Sequence, residues 1–580
     1  MNTAAIPGFR DIYPDEAQTY EELVSRVNSE TIIILCAALN SELTSPEPMM
    51  ELHKRVNGIA SHRFTAEQYK FVKEALQEYA IKSGVQFQGL IFFRRYLLAM
   101  IMRELNNERT VDQPIIGPEA EYIFFKAYLK IIDEVHQGDE QMIDLAKSDD
   151  SNGMWRWKMS WLPIIGQFEM NERGNMILEM LKTSCLLEYA QEHFTEPLTE
   201  YLSSFGFSRP SELMGSFQSI YKATTTYDPD APLRRYTLLS VNKDTNIKHL
   251  EAQVVRQNNR SKIGFTELKK APIYYYKKRD SYVILDNYLA QRKVFRGPFF
   301  ELFHQTSLKP SEKRLLDDAF VSYSQKIADV LEKRCLKPIL SLLCKTGASK
   351  MHFDDGSKNS PDGYIRIDRT IFLFEYKAYF FPERLAKKPD FDELKSYFDQ
   401  RFIVNEKGKE KGIHQLRKQI SIIHEGGFRF DPGVKELLAT GDLFIFPIIV
   451  FNDYYFGING LNSYLSETLT SVLPREYEKK LNIAPMVMMN LETILDMVLS
   501  KQDVHEMESC IVSYLDYIVE ADMARKGPRA VEMFYASTSG FDDVYAKYGR
   551  QDVAIEDSQK LLEELLELAR LEFIDHSDDE

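Results

Sequence analysis

The chain has 580 residues, of which 44% are hydrophobic, 27% charged and 12% aromatic, with a formal net charge of -15. That is more chain than one core usually supports, and too apolar for disorder to be expected, so two to four domains are anticipated. The acidic balance argues against a protein that binds nucleic acid over its whole surface and leaves that work to any locally basic segment.

Residues 1–16 lack a basic stretch followed by an apolar one, so no signal peptide is expected. The longest early apolar run, residues 31–39, is too short to span a bilayer. Cys36, Cys185, Cys335, Cys344 and Cys510 lie far apart with no CxxC pair, which suits free thiols in a reducing compartment. A cytoplasmic protein without membrane contact is expected.

Residues 1–205 read as a helical domain, with apolar positions three and four apart over 20–43, 65–82, 92–106 and 119–135. Thr65 suits a helix cap. Trp155, Trp157 and Trp161 read as a core plug rather than a stacking surface, and Arg94 and Arg95 as the polar edge of a packed helix.

Residues 206–305 change texture. Strands are predicted over 236–241, 273–276 and 282–285, giving a small α+β module. From Arg234 to Arg296 there are 15 Lys or Arg against 5 Asp or Glu. Such a segment serves either phosphate contacts or docking onto acidic regions of the same chain. For nucleic acid the candidates are Arg256, Arg260 and Lys262 in a polar loop and Lys277, Lys278 and Arg279 after Tyr274, Tyr275 and Tyr276.

Residues 306–470 alternate helix and strand. A long helix is predicted over 312–336, ended or bent by Pro338. A strand over 350–353 and a polar loop containing Asp354 and Asp355, read as turn residues, follow. Next comes PDGYIRIDRTIFLFEYK, residues 361–377, in which two apolar runs flank Asp368 and Arg369. That is hairpin spelling. With the turn centred there, partners have numbers summing to 737 and Asp362 falls opposite Glu375, their Cβ atoms roughly 4.5–5.5 Å apart. Strand alternation places Glu375 and Lys377 on one face, with Phe374 and Tyr376 on the other. Two opposed carboxylates call for a cation, and a divalent metal is the simplest. Helices over 390–402 and 413–424, separated by a charged loop, lead to the apolar strand 444–451, where Pro447 is a reservation against a central position. Residues 471–580 read as a C-terminal helical region, its last helix amphipathic.

Pro361, Asp362, Glu375 and Lys377 spell Pro-Asp, a gap, and Glu-x-Lys on the next strand, and this resembles the PD-(D/E)xK, restriction-endonuclease-like, nuclease superfamily. Glu-x-Lys also occurs at Glu267/Lys269, Glu393/Lys395 and Glu478/Lys480, so the hairpin context and the helix, strand, hairpin, helix, strand order carry the resemblance. It implies a multidomain, mainly α protein whose 306–470 segment is an α/β nuclease core, a mixed sheet flanked by helices. Part of 206–305 resembles a connecting module that precedes nuclease domains in large bacterial proteins.

The resemblance further implies a magnesium-dependent, or manganese-dependent, phosphodiester hydrolase cutting nucleic acid, DNA before RNA, to leave a 5′-phosphate. Asp362, Glu375 and the backbone carbonyl of Tyr376 would hold the metal, and Lys377 would act on water and phosphate. A helix residue commonly adds an acid. Gln325 stands where that acid is expected, with Glu332 two turns on, and Gln415 and Gln419 face the site from the following helix. The architecture resembles anti-phage defence effectors, with a protein partner or self-association as accessory. The alternative is a nucleic-acid-binding or protein-interaction scaffold on a degenerate nuclease fold.

Overall fold

The computed structural model describes residues 6–44, 64–83, 92–147, 154–225, 236–239, 241, 245–256, 262–345, 350–440, 443–525, 530–548 and 555–569. Helices dominate, and two sheets are set among them.

Strands β1 (Leu238–Leu239), β2 (Ile273–Tyr276) and β3 (Ser281–Ile284) form a small antiparallel sheet in the order β1-β3-β2. Its Tyr274 and Val283, with Leu285 just beyond β3, share a core with helices Ser29–Leu43, Arg94–Asn106 and Pro118–Lys147. Thr65 caps its helix as expected, accepting from the Gln68 amide at 3.2 Å.

The larger, mixed sheet comprises β4 (Lys350–Phe353), β5 (Gly363–Ile367), β6 (Thr370–Lys377), β7 (Leu443–Phe451), β8 (Leu481–Ile483) and β9 (Val487–Asn490). β4, β5 and β6 are antiparallel neighbours; β7 runs parallel to β6 after a helical crossover. The β5–β6 register pairs Gly363 with Phe374 and Ile367 with Thr370, the predicted sum of 737. On the outer side of β7, β8 pairs Leu443 to Ile445 and β9 pairs Ile448 to Phe451. Pro447 lies where one partner gives way to the other, so its missing N–H costs the ladder little.

Both faces of this sheet are covered, which is why β7 is apolar throughout. Phe372, Phe374, Tyr376, Ile448 and Val450 face helices that include Met176–His193, Asn287–His304 and Leu491–Leu499. Ile371, Leu373, Ile445 and Ile449 face helices Trp155–Phe168, Phe391–Phe402, Gly412–His424 and Leu461–Val472. Trp161 is fully buried there, stacked on Phe391 at 5.4 Å, and Trp157 is buried beside it, so these two plug the core as expected, whereas Trp155 is 44% exposed.

A charged hub joins these layers. Arg292, 5% exposed, pairs with Glu172, Glu179 and Glu492, and Arg296 with Glu169 and Glu172. Lys269 also pairs with Glu169, at 2.7 Å. Arg94 is likewise turned inward, donating from Nη2 to Asp286 Oδ1 at 2.7 Å. Part of the basic excess thus neutralises the chain's own buried carboxylates, and burying one partner without the other would be costly.

Candidate active site

The long helix preceding β4 is helical over Leu316–Leu331, passes through a π turn at Glu332–Leu336, and resumes as Lys337–Leu343. Pro338 has no N–H to give to the Arg334 carbonyl four residues back. The Cys185 thiol donates to that carbonyl instead, at 3.8 Å. The helix therefore continues through its proline rather than ending. Such π turns frequently occur at functional sites, and this one begins with Glu332.

Asp362 immediately precedes β5, and its Oδ2 accepts from the Tyr376 amide at 2.7 Å. That bond holds the carboxyl against the β6 end that carries Glu375 and Lys377. Gly363 permits a close approach here: a Cβ on it would lie 3.2 Å from the Phe374 Cβ and 3.3 Å from Leu340 Cδ1. Helix Lys337–Leu343 is thereby seated directly on the hairpin.

Glu375 and Lys377 are buried, 4% and 7% exposed, and the Lys377 ammonium donates to Glu375 Oε1. Gln415 Oε1 accepts a second bond from Lys377 at 3.3 Å. Gly412 lies beside this lysine; a Cβ there would meet Lys377 Cε at an ordinary 3.5 Å but would crowd the Phe402 carbonyl at 3.2 Å and Ile449 Cδ1 at 3.3 Å. One turn beyond Gln415, Gln419 donates to the Asn359 carbonyl at 3.1 Å and steadies the loop leading to Asp362. The Tyr376 side chain leaves by the opposite face, where its hydroxyl accepts from Asn452 Nδ2 at 2.5 Å.

The electrostatics bind this group together. Burial, then the neighbouring Asp362, pushes Glu375 up to about 8, although Lys377 pulls the other way. Glu332 is also pushed up to about 8, by burial and then by Asp362, Asp354 and Glu375. Asp362 is raised mainly by burial, against the opposing pull of Lys377. Lys377 is raised above the ordinary lysine value because the attraction of Glu375 and Asp362 outweighs its desolvation.

Glu332 therefore belongs to the acidic cluster, whereas Gln325 is exposed and donates to Asp329 at 2.8 Å. Asp354 and Lys411 were not anticipated. Asp354 does act as a turn residue, accepting from the Gly356 amide at 3.1 Å, but its charge also bears on Glu332 and Asp362. Its amide donates to the Asp362 carbonyl at 3.5 Å. The β4–β5 register, which pairs Phe353 with Gly363, carries the next pair to Asp354 and Asp362 and was the available signal. Lys411, which draws Glu375 downward, precedes helix Gly412–His424.

The chain matches no family model, no curated protein and no solved structure.

The other nucleic-acid candidates lie in and beside the small sheet. Lys277, Lys278 and Arg279 form a solvent-facing turn, Lys277 lying 3.8 Å from Glu108. Arg256 is paired with Glu251, Lys262 is exposed, and Arg260 lies outside the described residues. Tyr274 is buried, and Tyr275 packs on Tyr282.

The donor chemistry of the cluster fits a hard divalent cation: three carboxylates with oxygen donors, raised by burial and, for Glu332 and Glu375, by mutual repulsion that a cation would relieve. Among the described residues no set of three or more His, Cys, Asp or Glu is already gathered as a metal cage. Glu375 instead leans on Lys377.

Proposed function

We propose that the chain is a metal-dependent nuclease of the PD-(D/E)xK kind. The observation that carries this reading is the in-register hairpin that brings Asp362 beside Glu375 and Lys377, with Glu332 added from the π turn. Asp362, Glu375, Glu332 and the Tyr376 carbonyl are the residues that would hold magnesium or manganese. When bound, the ion supplies neutralising charge at the phosphodiester and acidifies an attacking water.

The chain's own groups do the rest. Lys377, held protonated by its carboxylate neighbours, is an electrostatic donor to the phosphoryl oxygens rather than a base. Gln415 orients that ammonium, and Gln419 fixes the loop from which Asp362 emerges.

A scaffold with a degenerate site is the second reading, favoured by the direct pairing of Glu375 with Lys377. Incubating purified protein with plasmid, linear duplex, single-stranded DNA and RNA, in magnesium, manganese or EDTA, separates the two. The nuclease reading expects metal-dependent cutting that Glu375→Ala loses. Absence of cutting on every substrate, together with no calorimetric metal binding, favours the scaffold.

A further inference from the structure

We infer that a cation–aromatic stack beside the catalytic end holds an unstacked base of single-stranded nucleic acid, an assignment of substrate class that rests on the nuclease reading. The stack comprises Arg429, Phe430 and His352. The His352 and Phe430 rings are 3.9 Å apart and inclined by 20°, and the Arg429 guanidinium lies 4.6 Å from the Phe430 centroid. Arg429 is exposed, while Phe430 and His352 are half-buried.

Its position follows from strand register. His352 pairs with Tyr364 across β4 and β5, and Tyr364 pairs with Leu373 across β5 and β6. Directly paired residues share a face, and Glu375 lies two residues beyond Leu373, so His352 stands on the Glu375 and Lys377 face of the sheet. It is also two residues, roughly 7 Å, from Asp354 at the acidic cluster. From Lys377 the same register sets His352 two strands across and four residues back, roughly 10 Å by 13 Å, so the stack would take a base a few nucleotides away from a phosphate at Lys377.

The stack is fixed before any ligand arrives. Arg429 Nη2 donates to the Ser357 hydroxyl and, at 3.0 Å, to the Lys358 carbonyl. His352 Nε2 and the Ser360 hydroxyl share a bond of 2.8 Å. Burial, outweighing the nearby Asp355 and Asp354, lowers the His352 pKa. An exposed arginine is ordinarily the most mobile of side chains, with much rotamer entropy to lose. Here Nη2 is tied to residues 357 and 358 and one face of the guanidinium rests on Phe430, as suits a group on which a base stacks.

Every base offers a π face, so such a platform tolerates sequence but requires bases free of a duplex. The competing role is a latch that merely ties loop residues 357–360 to the segment carrying Arg429.

The test uses the full-length chain carrying Glu375→Ala, so that binding is read without cleavage. The probe is a short single-stranded oligonucleotide with a central 2-aminopurine, compared with its duplex and with an abasic strand. Binding is expected to quench or shift the 2-aminopurine signal. Phe430→Leu, which keeps an apolar side chain, and Arg429→Lys, which keeps the charge, are each expected to weaken single-strand binding about ten-fold. Duplex and abasic affinities should hardly change.

Equal losses on all three probes, or no loss, would overturn the platform and leave the latch. No 2-aminopurine response in the parent chain would overturn it too. Wild-type cleavage is scored separately: cutting without the stacking signature removes only the platform, and the signature without cutting removes only the nuclease reading.

Discussion

The backbone amide of Tyr376 donates to the Asp362 carboxylate at 2.7 Å, so the uncharged residue between Glu375 and Lys377 anchors the acid of the neighbouring strand. A side chain cannot be altered to remove that bond, but its acceptor can. Asp362→Ala therefore removes a candidate metal ligand and a hairpin tie together, whereas Asp362→Asn keeps an acceptor for the amide. Both variants should lose metal-dependent cleavage, and only the alanine should lower the thermal midpoint, as read by circular dichroism.

Glu332 and Gln325 separate cleanly. Glu332→Gln should reduce cleavage about 10–100-fold, the range seen when groups that tune a metal site are removed. Gln325→Ala should leave the rate unchanged, because that side chain is exposed and bonded to Asp329. Steady-state rates at saturating metal check both.

The pH dependence of stability has a defined sign. Glu332 and Glu375 are raised to about 8 in the folded chain from an ordinary value of 4.5. Their contribution is complete below about 4.5 and is lost as pH rises through about 8. Without metal, the thermal midpoint should fall over that interval, Glu332→Gln should flatten the fall, and magnesium should stabilise most at the alkaline end. Melting curves from pH 5 to 9 with magnesium or EDTA test all three.

Gly412→Ala places a methyl group 3.2 Å from the Phe402 carbonyl, 3.3 Å from Ile449 Cδ1 and 3.5 Å from Lys377 Cε. Overpacking of that kind costs about 1–3 kcal/mol. Denaturant unfolding should register the cost, which falls on the Phe402 carbonyl and Ile449 contacts, the 3.5 Å approach to Lys377 being an ordinary one.

Charge changes should divide by burial. Reversal at Lys277 or Lys278 should change stability by no more than about 0.5 kcal/mol, as is usual for exposed side chains. Arg292→Ala leaves Glu172, Glu179 and Glu492 without their shared cation, and breaking buried pairs costs about 3–5 kcal/mol. Urea titration of the variants distinguishes these outcomes.

The hairpin was legible because turn chemistry and two-residue alternation determine register locally, down to the pairing of Gly363 with Phe374. The choice between Gln325 and Glu332 was not. They are seven residues apart, nearly two turns, so periodicity gives them the same direction around the helix but not their height along it. That height, roughly 10 Å of difference at 1.5 Å per residue, depends on where the helix crosses the sheet, through contacts such as Gly363 with Leu340. Asp354 was hidden for another reason: its local hydrogen bond to Gly356 fully explains a turn residue, while its role opposite Asp362 requires the β4 pairing. Composition alone left the basic segment undecided. Arg292 and Arg296 face inward and Lys278 outward, a division made by tertiary packing.

Arg292 ties residues 172, 179 and 492 to a helix that precedes the large sheet in sequence, and none of those acids lies within residues 306–470. Residues 306–470 are consequently not a cassette that can be cut out and carried elsewhere. Excised, they would bare the sheet face now covered by Met176–His193 and Leu491–Leu499 and leave their relatives in the hub behind. Insertions and exchanges during descent should therefore be tolerated at the rim of this molecule and punished at its centre, and limited proteolysis should trim the periphery long before it releases the sheet.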